Sequence, residues 1–279
     1  MAPAAGLAQT PNLDKWRAVD PEQTLYIDTN KGRVVVEMYP EIAPLAVERI
    51  KTLTREKFYD GLQFHRVVAS FMAQTGDPLN TGEGGSKLPD LKEEFLFRRG
   101  KDMPFIVAAN QGGATLGFYK ALPIASQPDD MMAITKDQKA AGWGLHCKGV
   151  TAMARATAPD SANSQFYLMR STYPSLDKRY TIWGRVIWGQ EIVDGLAVGE
   201  PPPIPDKMTT VRIAADMPAA ERAPLYVLRT DGKDFAGEIE DYRKKAGADF
   251  SVCDIPIPAT VANTQQRERS WWRLIPFVP

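Results

Sequence analysis

The most informative part of this chain is the stretch Phe64-His65-Arg66-Val67-Val68-Ala69-Ser70-Phe71-Met72-Ala73-Gln74-Thr75-Gly76-Asp77. It places one arginine, one amide and two large apolar side chains within a short extended segment. Much later in the chain, Asn163-Ser164-Gln165-Phe166-Tyr167 repeats the same mixture of amides and aromatic rings. Amides can hold a peptide backbone because they both donate and accept hydrogen bonds, and rigid aromatic side chains can wall a pocket for an apolar ring.

The composition is that of a globular protein with a hydrophobic core. The chain has 279 residues, of which 44% are hydrophobic, and its length suits one large domain or two modest ones. Its 34 basic and 34 acidic side chains give a formal net charge of zero, which indicates neither nucleic acid nor an anionic membrane as a partner. The sequence contains no apolar run of about eighteen residues, so no membrane span is predicted.

Short strands dominate the predicted secondary structure. Two β-rich runs, 25–29 and 34–38, flank turn residues and predict a hairpin. Pro44 suits the first turn of a helix, and apolar residues follow it at helical spacing. Further strand-like runs are predicted at 64–74, 149–154, 165–169, 180–186 and 210–214. This number of short strands favours a closed barrel or a sandwich, and the periodicity alone does not choose between them.

In their order along the chain, these segments resemble the cyclophilin family of peptidyl-prolyl isomerases. The resemblance covers about residues 24–95 and 147–216. The motifs that carry it are Phe58-Tyr59-Asp60-Gly61, the stretch 64–77, the glycine loop 82–85, Lys92-Glu93-Glu94-Phe95, Met153-Ala154, the stretch 163–167, Leu176-Asp177 and Trp183-Gly184-Arg185-Val186. It implies a mainly β fold, a closed eight-stranded antiparallel barrel capped by two helices, one at each open end.

The resemblance also implies an enzyme that catalyses rotation about X-Pro peptide bonds during protein folding. Amide resonance opposes this rotation with a barrier of roughly 18–20 kcal/mol. In the twisted form the nitrogen loses conjugation, and its lone pair can accept a hydrogen bond. A guanidinium aimed at that nitrogen binds the twisted form better than either planar form, and Arg66 is the predicted catalytic residue. No covalent bond is made or broken, so neither a metal nor a cofactor is expected.

The predicted substrate-binding residues surround a proline ring and the backbone next to it. Gln74 would hold the substrate backbone through its amide. Phe71 and Met72 are neighbours, so both can reach one pocket only where the strand bends or ends. Four side chains would line the pocket for the ring: Phe71, Met72, Tyr167 and Leu176. Matching position in the family adds five further substrate-binding residues: His65, Ala154, Arg155, Gln165 and Tyr180.

Four positions depart from the better-known family pattern. Ser175 stands where many members have tryptophan, and Tyr180 stands where many have histidine. Arg155 replaces a common asparagine, and Tyr167 replaces a phenylalanine. The missing tryptophan argues against tight cyclosporin binding, whereas Tyr180 can still supply a ring wall and one hydroxyl.

Three segments lie outside the resemblance. We predict an N-terminal tail at 1–22, a cyclophilin-like domain at 23–217 with an insertion at 96–146, and a C-terminal extension at 218–279 packed on the barrel. The insertion has no clean period; 107–109 is predicted as a strand and 135–141 as a short helix, and a lid or an additional substrate contact is its hypothetical role. In the extension, the adjacent aromatic side chains of Trp271-Trp272 require an apolar surface to pack against. Packing against the rest of this chain is favoured over binding a partner.

The compartment and the state of the two cysteines stay open at this point. Gly6-Leu7-Ala8 resembles the small-x-small end of a secretory signal, but the apolar and basic parts of such a signal are missing. We expect a periplasmic location, with a cytoplasmic one as the alternative. Cys147 and Cys253 are either a disulfide, which would fit an oxidising compartment, or two unrelated thiols.

The expected partners are proline-containing peptides and unfolded or folding proteins, bound by a monomer. Nucleic acid is not an expected partner. The main alternative is a catalytically weak module that binds proline peptides or acts as a chaperone. A weaker one is a structural subunit of an envelope assembly, held by the tail around Trp271-Trp272.

Overall fold

The computed structural model describes residues 11–262, which form sixteen strands and four α-helices. The helices are α1 (Pro44–Arg55), α2 (Met131–Ile134), α3 (Gln190–Asp194) and α4 (Lys233–Ala246). The strands are β1 (Trp16–Ala18), β2 (Thr24–Thr29), β3 (Gly32–Met38), β4 (Arg66–Val67), β5 (Met72–Thr75), β6 (Phe97–Arg99), β7 (Ile106–Gln111), β8 (Ala114–Tyr119), β9 (Leu122–Ser126), β10 (Ala140–Gly144), β11 (Val150–Met153), β12 (Phe166–Met169), β13 (Ile182–Trp188), β14 (Met208–Ile213), β15 (Leu225–Leu228) and β16 (Ala259–Val261).

The central feature is an antiparallel sheet of eight strands in the order β14-β2-β3-β13-β11-β12-β5-β4. The predicted hairpin is confirmed as β2 and β3, which pair from Thr24 opposite Glu37 to Thr29 opposite Gly32. At the turn, the Thr29 hydroxyl accepts hydrogen bonds from the backbone amides of Lys31 and Gly32. Two continuous apolar runs, 25–27 and 34–36, and the turn chemistry between them therefore fix this part of the sheet.

The prediction of a closed barrel is wrong, because the sheet curls into a half-barrel whose edge strands form no continuous ladder. The edge strand β4 has only two residues, and Val67 pairs on its outer side with the loop residue Gly199. Among the described residues, a single bridge between Gln63 and Lys207 joins the chain beside β4 to the chain beside β14. The mainly β character is as predicted.

Helix α1 covers one side of the half-barrel and begins at Pro44, as predicted. Its apolar side chains, Val47 and Ile50 among them, are buried in one core with the strands. The carboxylate of Glu94 accepts hydrogen bonds from the backbone amides of Leu45 and Ala46, which satisfies donors that the first turn leaves open. A second helix on this core, α3, is short, with five residues, and contributes the buried side chain of Val193.

The insertion folds into a second antiparallel sheet in the order β6-β10-β9-β8-β7. The predicted strand at 107–109 lies inside β7, but the predicted helix at 135–141 is wrong. Helix α2 ends at Ile134, and β10 begins at Ala140. Between them, Thr135 Oγ1 accepts from the amide of Lys139, and Gln138 has a positive φ of 53°. The segment is therefore a turn stabilised by a side chain instead of a helix.

The two terminal segments meet in a third sheet in the order β1-β15-β16. Residues 16–18, which fall in the predicted tail, pair as β1 with β15. Helix α4 packs onto the insertion, with the Phe235 ring centroid 5.4 Å from that of Phe118. A disulfide joins Cys147 to Cys253 with their Cα atoms 5.1 Å apart. The division into tail, domain and extension stays a prediction, and both Gly6-Leu7-Ala8 and Trp271-Trp272 lie outside the described residues.

Across residues 11–262, none of the helices has the length and apolar character that a membrane crossing requires.

Candidate functional site

Three of the predicted site residues form a row across neighbouring strands. Arg66 on β4 lies opposite Gln74 on β5, and Gln74 lies opposite Tyr167 on β12. Residues directly opposite each other in antiparallel strands have side chains on the same face of the sheet. The register therefore brings the cation, the amide and an aromatic ring to one face.

The hairpin between β4 and β5 brings Phe71 and Met72 together. The amide of Phe71 donates to the carbonyl of Val68, and the amide of Val68 donates to the carbonyl of Met72. Phe71 therefore lies in the turn, while Met72 is the first residue of β5. This is the strand end that two adjacent residues need in order to contribute to one pocket.

Six predicted site residues belong to one apolar cluster. Met72 and Tyr167 are buried in it, and the other members keep part of their surface exposed. A buried base with half-exposed walls is suited to an apolar ring that enters from solvent. The six residues are Phe71, Met72, Ala154, Tyr167, Leu176 and Tyr180.

Arg66 lies at the edge of this cluster. Its Cζ atom is 6.0 Å from the centroid of the Phe71 ring, at the outer limit of a cation–π contact. Its Nε donates to Oε2 of Glu200 at 2.6 Å. The side chain is 39% exposed, and its two Nη groups have no acceptor within the described part of the chain. Donors of the guanidinium therefore remain available for a ligand.

A pair of glutamines connects the site to the glycine loop. Gln74 Nε2 donates to Gln165 Oε1 at 2.8 Å, and Gln165 Nε2 donates to the carbonyls of Gly82 and Gly84. These bonds fix which end of each amide is oxygen. Gln74 Oε1 accepts no hydrogen bond from the described residues, so it can accept one from a bound peptide.

A buried polar chain lies beneath the pocket. His146 Nε2 is 3.1 Å from the hydroxyl oxygen of Tyr167, and His146 Nδ1 is 2.8 Å from Oδ1 of Asp177. The same Asp177 oxygen accepts from the backbone amide of His146. Burial is the main reason why the pKa of Tyr167 lies well above its usual value, so the hydroxyl keeps its proton. The tyrosine that replaces the family's phenylalanine is thus supplied with a partner.

Arg155 supports Tyr180 from outside. Its Cζ atom lies 4.7 Å from the centroid of the Tyr180 ring, and its Nε donates to the carbonyl of Arg179. Its Nη1 donates to the carbonyls of Ala156 and Thr157. These contacts hold the pocket wall, because the guanidinium stacks on the ring while its donors bind the backbone.

Like Arg155 and Gln165, His65 lies outside both the row and the apolar cluster. It is buried, and its ring nitrogens make no hydrogen bond with the described residues. Burial lowers its pKa, against an opposing effect of the Asp77 carboxylate. Nε2 lies 4.0 Å from where a Cβ on Gly82 would be, so His65 lies beneath the glycine loop.

Three residues that contact the site have no signal in the local sequence pattern. Glu200 pairs with Arg66, His146 bonds Tyr167, and Tyr173 packs on Phe71 with ring centroids 4.7 Å apart. Glu200 follows Arg66 by 134 residues, and no local pattern announces such a contact. No group of three or more His, Cys, Asp or Glu side chains that could hold a metal occurs within residues 11–262.

Comparison with known proteins gives a consistent result. Residues 24–214 match the family model described as cyclophilin type peptidyl-prolyl cis-trans isomerase/CLD. A probable peptidyl-prolyl cis-trans isomerase of Brucella suis is 32% identical over 215 residues, 71% of this chain and 86% of that protein. A putative peptidyl-prolyl cis-trans isomerase of Staphylococcus epidermidis is 28% identical over 190 residues, 67% of this chain and 86% of that protein. The crystal structure of a cyclophilin from Hirschia baltica has a TM-score of 0.83 and 35% identity, covering 90% of this chain and 95% of that one.

Proposed function

This chain belongs to the cyclophilin-type peptidyl-prolyl cis-trans isomerase family, and we propose that Arg66 carries its activity by stabilising the twisted amide of an X-Pro bond. The planar amide shares the nitrogen lone pair with the carbonyl, and rotation by a quarter turn ends that sharing. The nitrogen becomes a hydrogen-bond acceptor only near the top of the barrier. A guanidinium N–H directed at it therefore binds the transition state more tightly than the ground state.

The preferential binding energy that Arg66 has to supply to the transition state is modest. Each 1.4 kcal/mol or so of preferential binding accelerates rotation about tenfold. A hydrogen bond from a charged donor contributes roughly 1.5–3 kcal/mol, and more where water is excluded. One arginine beside an apolar pocket can thus supply a large share of the acceleration. The remainder comes from holding the proline ring still while its substituent rotates.

The pocket and the glutamine have separate roles in this proposal. Phe71, Met72 and Tyr167 grip the proline ring, which fixes one side of the rotating bond. Gln74 accepts from a substrate backbone amide through its free Oε1. The observation that supports the whole arrangement is the position of Arg66, in register with Gln74 and 6.0 Å from Phe71.

The physiological setting is part of the same proposal. We infer that the chain acts as a monomer on unfolded or folding proteins, whose uncatalysed prolyl rotation takes tens of seconds. We further infer a periplasmic location, supported by the disulfide between Cys147 and Cys253, since disulfides persist in oxidising compartments.

The second candidate function is a module that binds proline peptides and turns them over weakly. One observation favours it: Glu200 already occupies Nε of Arg66 and places a negative charge next to the guanidinium. Both functions need the same pocket, and turnover alone separates them.

The decisive experiment is a protease-coupled isomerisation assay on X-Pro peptides with the wild type and Arg66→Ala. We expect kcat/KM to fall by at least about a hundredfold in the variant, at an unchanged denaturation midpoint. Arg98→Ala, which removes an exposed arginine paired with Asp137 on the insertion, is the matched control and should keep wild-type activity. Equal turnover in Arg66→Ala would remove Arg66 from its role. A wild type that binds the peptides without turnover would favour the binding module.

A further inference from the structure

We propose that Glu200 is a positioning residue for Arg66, selecting the guanidinium orientation that faces the substrate. This inference rests on the proposed function of Arg66 and adds a residue from a distant loop to the active site. Glu200 Oε2 accepts from Arg66 Nε at 2.6 Å, which is a short, charge-assisted hydrogen bond. It does not touch the substrate in this proposal, so it acts through Arg66.

The loop that carries Glu200 is bound to the strand that carries Arg66. Gly199 and Val67 exchange both backbone hydrogen bonds, with Val67 N–Gly199 O at 2.8 Å and Gly199 N–Val67 O at 2.9 Å. The residue before Glu200 is thus bound to the residue after Arg66. Most exposed ion pairs gain little because two flexible side chains must be ordered. Here the two backbones are already held together, so less order has to be imposed.

The far end of the same loop is held by a buried carboxylate. Asp206 Oδ2 accepts from the backbone amide of Ala197 at 2.8 Å, and its Oδ1 accepts from Asn30 Nδ2 at 2.6 Å. Asp206 itself is 5% exposed. Prolines at 201, 202 and 203 further restrict the backbone. Glu200 therefore projects from a braced loop toward a fixed strand.

The contact with Glu200 restricts the orientation of the Arg66 guanidinium. A guanidinium is planar, so fixing Nε and the ring contact with Phe71 leaves its two Nη groups with little freedom. Neither Nη group has an acceptor within residues 11–262. The carboxylate thus occupies the donor nearest the side-chain stem and leaves the outer donors for the amide nitrogen.

Glu200 has two opposing effects on Arg66, one through orientation and one through charge. A carboxylate next to the guanidinium also reduces its positive field, which by itself would weaken transition-state stabilisation. At a site that is partly open to water this reduction is screened, whereas a misdirected donor can lose about a hundredfold in rate. We therefore expect orientation to outweigh charge, which means that removing Glu200 slows the enzyme.

The experiment measures kcat and KM on X-Pro peptides for Glu200→Ala and Glu200→Gln. Glutamine keeps an oxygen that can accept from Nε without the charge, whereas alanine removes the acceptor. We expect Glu200→Ala to lower kcat on the order of tenfold relative to the wild type, with KM within about twofold. Glu200→Gln should keep most of the wild-type kcat, because it retains an acceptor for Nε. Glu191→Ala, which removes an exposed carboxylate on α3, is the matched control and should behave as wild type.

A double variant separates this inference from the proposed function. Arg66→Ala combined with Glu200→Ala should be no slower than Arg66→Ala alone, because a positioning residue has nothing left to position. If Arg66→Ala loses activity while Glu200→Ala keeps wild-type kcat, the role of Glu200 is refuted and that of Arg66 stands. A rise in kcat/KM for Glu200→Ala would equally overturn the inference, since it would make Glu200 a competitor for the guanidinium. If Arg66→Ala is fully active, the proposed function itself fails.

Discussion

His146 Nε2 lies 3.1 Å from the hydroxyl oxygen of Tyr167, and both side chains are buried. Asp177 determines the direction of this bond. Because its carboxylate oxygen faces Nδ1 at 2.8 Å, the proton of a neutral imidazole lies on Nδ1, and Nε2 accepts from the tyrosine hydroxyl. The residue at the base of the proposed proline pocket is therefore held by a histidine at the end of the insertion.

The first prediction tests this bond through stability. His146→Leu leaves the hydroxyl of Tyr167 buried without its acceptor, and we expect a loss of about 1–3 kcal/mol in the free energy of unfolding. Tyr167→Phe leaves Nε2 without a donor and should cost a similar amount. In the double variant the two losses should be less than additive, by roughly 1 kcal/mol or more.

Urea unfolding of the four proteins at neutral pH measures this coupling. Tyr242→Phe is the matched control, because the Tyr242 hydroxyl on α4 makes no side-chain hydrogen bond within the described residues. We expect it to change stability by less than about 0.5 kcal/mol. Strictly additive losses for His146→Leu and Tyr167→Phe would contradict the prediction.

How much of the site the sequence predicts depends on how local the signal is. The hairpin of β2 and β3 follows from two β-rich apolar runs around a turn, and α1 follows from Pro44 and helical spacing. The row of Arg66, Gln74 and Tyr167 follows from motifs whose order along the chain matches a known family. These parts need little knowledge of distant contacts.

The parts that the sequence did not predict depend on long-range contacts. Glu200 meets Arg66 only because Gly199 pairs with Val67, and this same pairing keeps β4 from continuing the ladder into a closed barrel. In the insertion, the turn at 135–139 depends on side chains, since Thr135 Oγ1 and Asp137 Oδ1 both accept from the amide of Lys139. Sequence periodicity contains no information about either contact.

The second prediction concerns the disulfide between Cys147 and Cys253. It closes a loop with a sequence separation of 106, and in the chain-entropy model such a cross-link stabilises by about 4–5 kcal/mol. Replacing both cysteines by serine should lower the free energy of unfolding by that order. The control is a reductant added to both proteins. Reduction should destabilise the wild type and leave the double serine variant unchanged. A double serine variant as stable as the oxidised wild type would contradict the prediction.

The third prediction concerns the contact between β1 and the eight-stranded sheet. Arg17 donates through both Nη groups to the two carboxylate oxygens of Glu37, at 2.6 and 2.7 Å, and Glu37 is 3% exposed. Among the described residues, Arg17→Ala would leave this buried carboxylate with Tyr39 as its remaining side-chain donor, at an expected cost of about 3–5 kcal/mol. Calorimetric or urea unfolding at neutral pH measures this loss.

An exposed pair provides the comparison for Arg17. Arg229 and Asp231 lie 2.7 Å apart with both side chains about half exposed, so Arg229→Ala should leave the free energy of unfolding close to that of the wild type. The double variant Arg17→Met/Glu37→Leu should recover part of the loss, because it removes the buried charge along with its partner. Equal costs for Arg17→Ala and Arg229→Ala would show that the buried geometry has no special weight.

The fourth prediction is a pH dependence that originates at Asp77, beside the glycine loop. Burial alone would raise the pKa of its carboxyl group, but hydrogen bonds from the backbone amides of Leu79, Gly82 and Thr81 outweigh burial and lower the pKa below its ordinary value. A group whose pKa is lower in the folded state stabilises the fold above its unfolded pKa, and this contribution is lost as the pH falls through the folded pKa.

Asp77→Asn removes the charge at every pH and presents an NH₂ group to amide donors. We therefore expect it to cost about 1–3 kcal/mol at neutral pH, with the difference from wild type shrinking below about pH 4. Urea unfolding between about pH 7 and pH 3 measures the difference, with Asp249→Asn, an exposed carboxyl, as the control that should stay near zero throughout. A gap between wild type and Asp77→Asn that stays constant down to the lowest pH would rule out the carboxylate as its source, because a purely steric effect of the amide does not titrate.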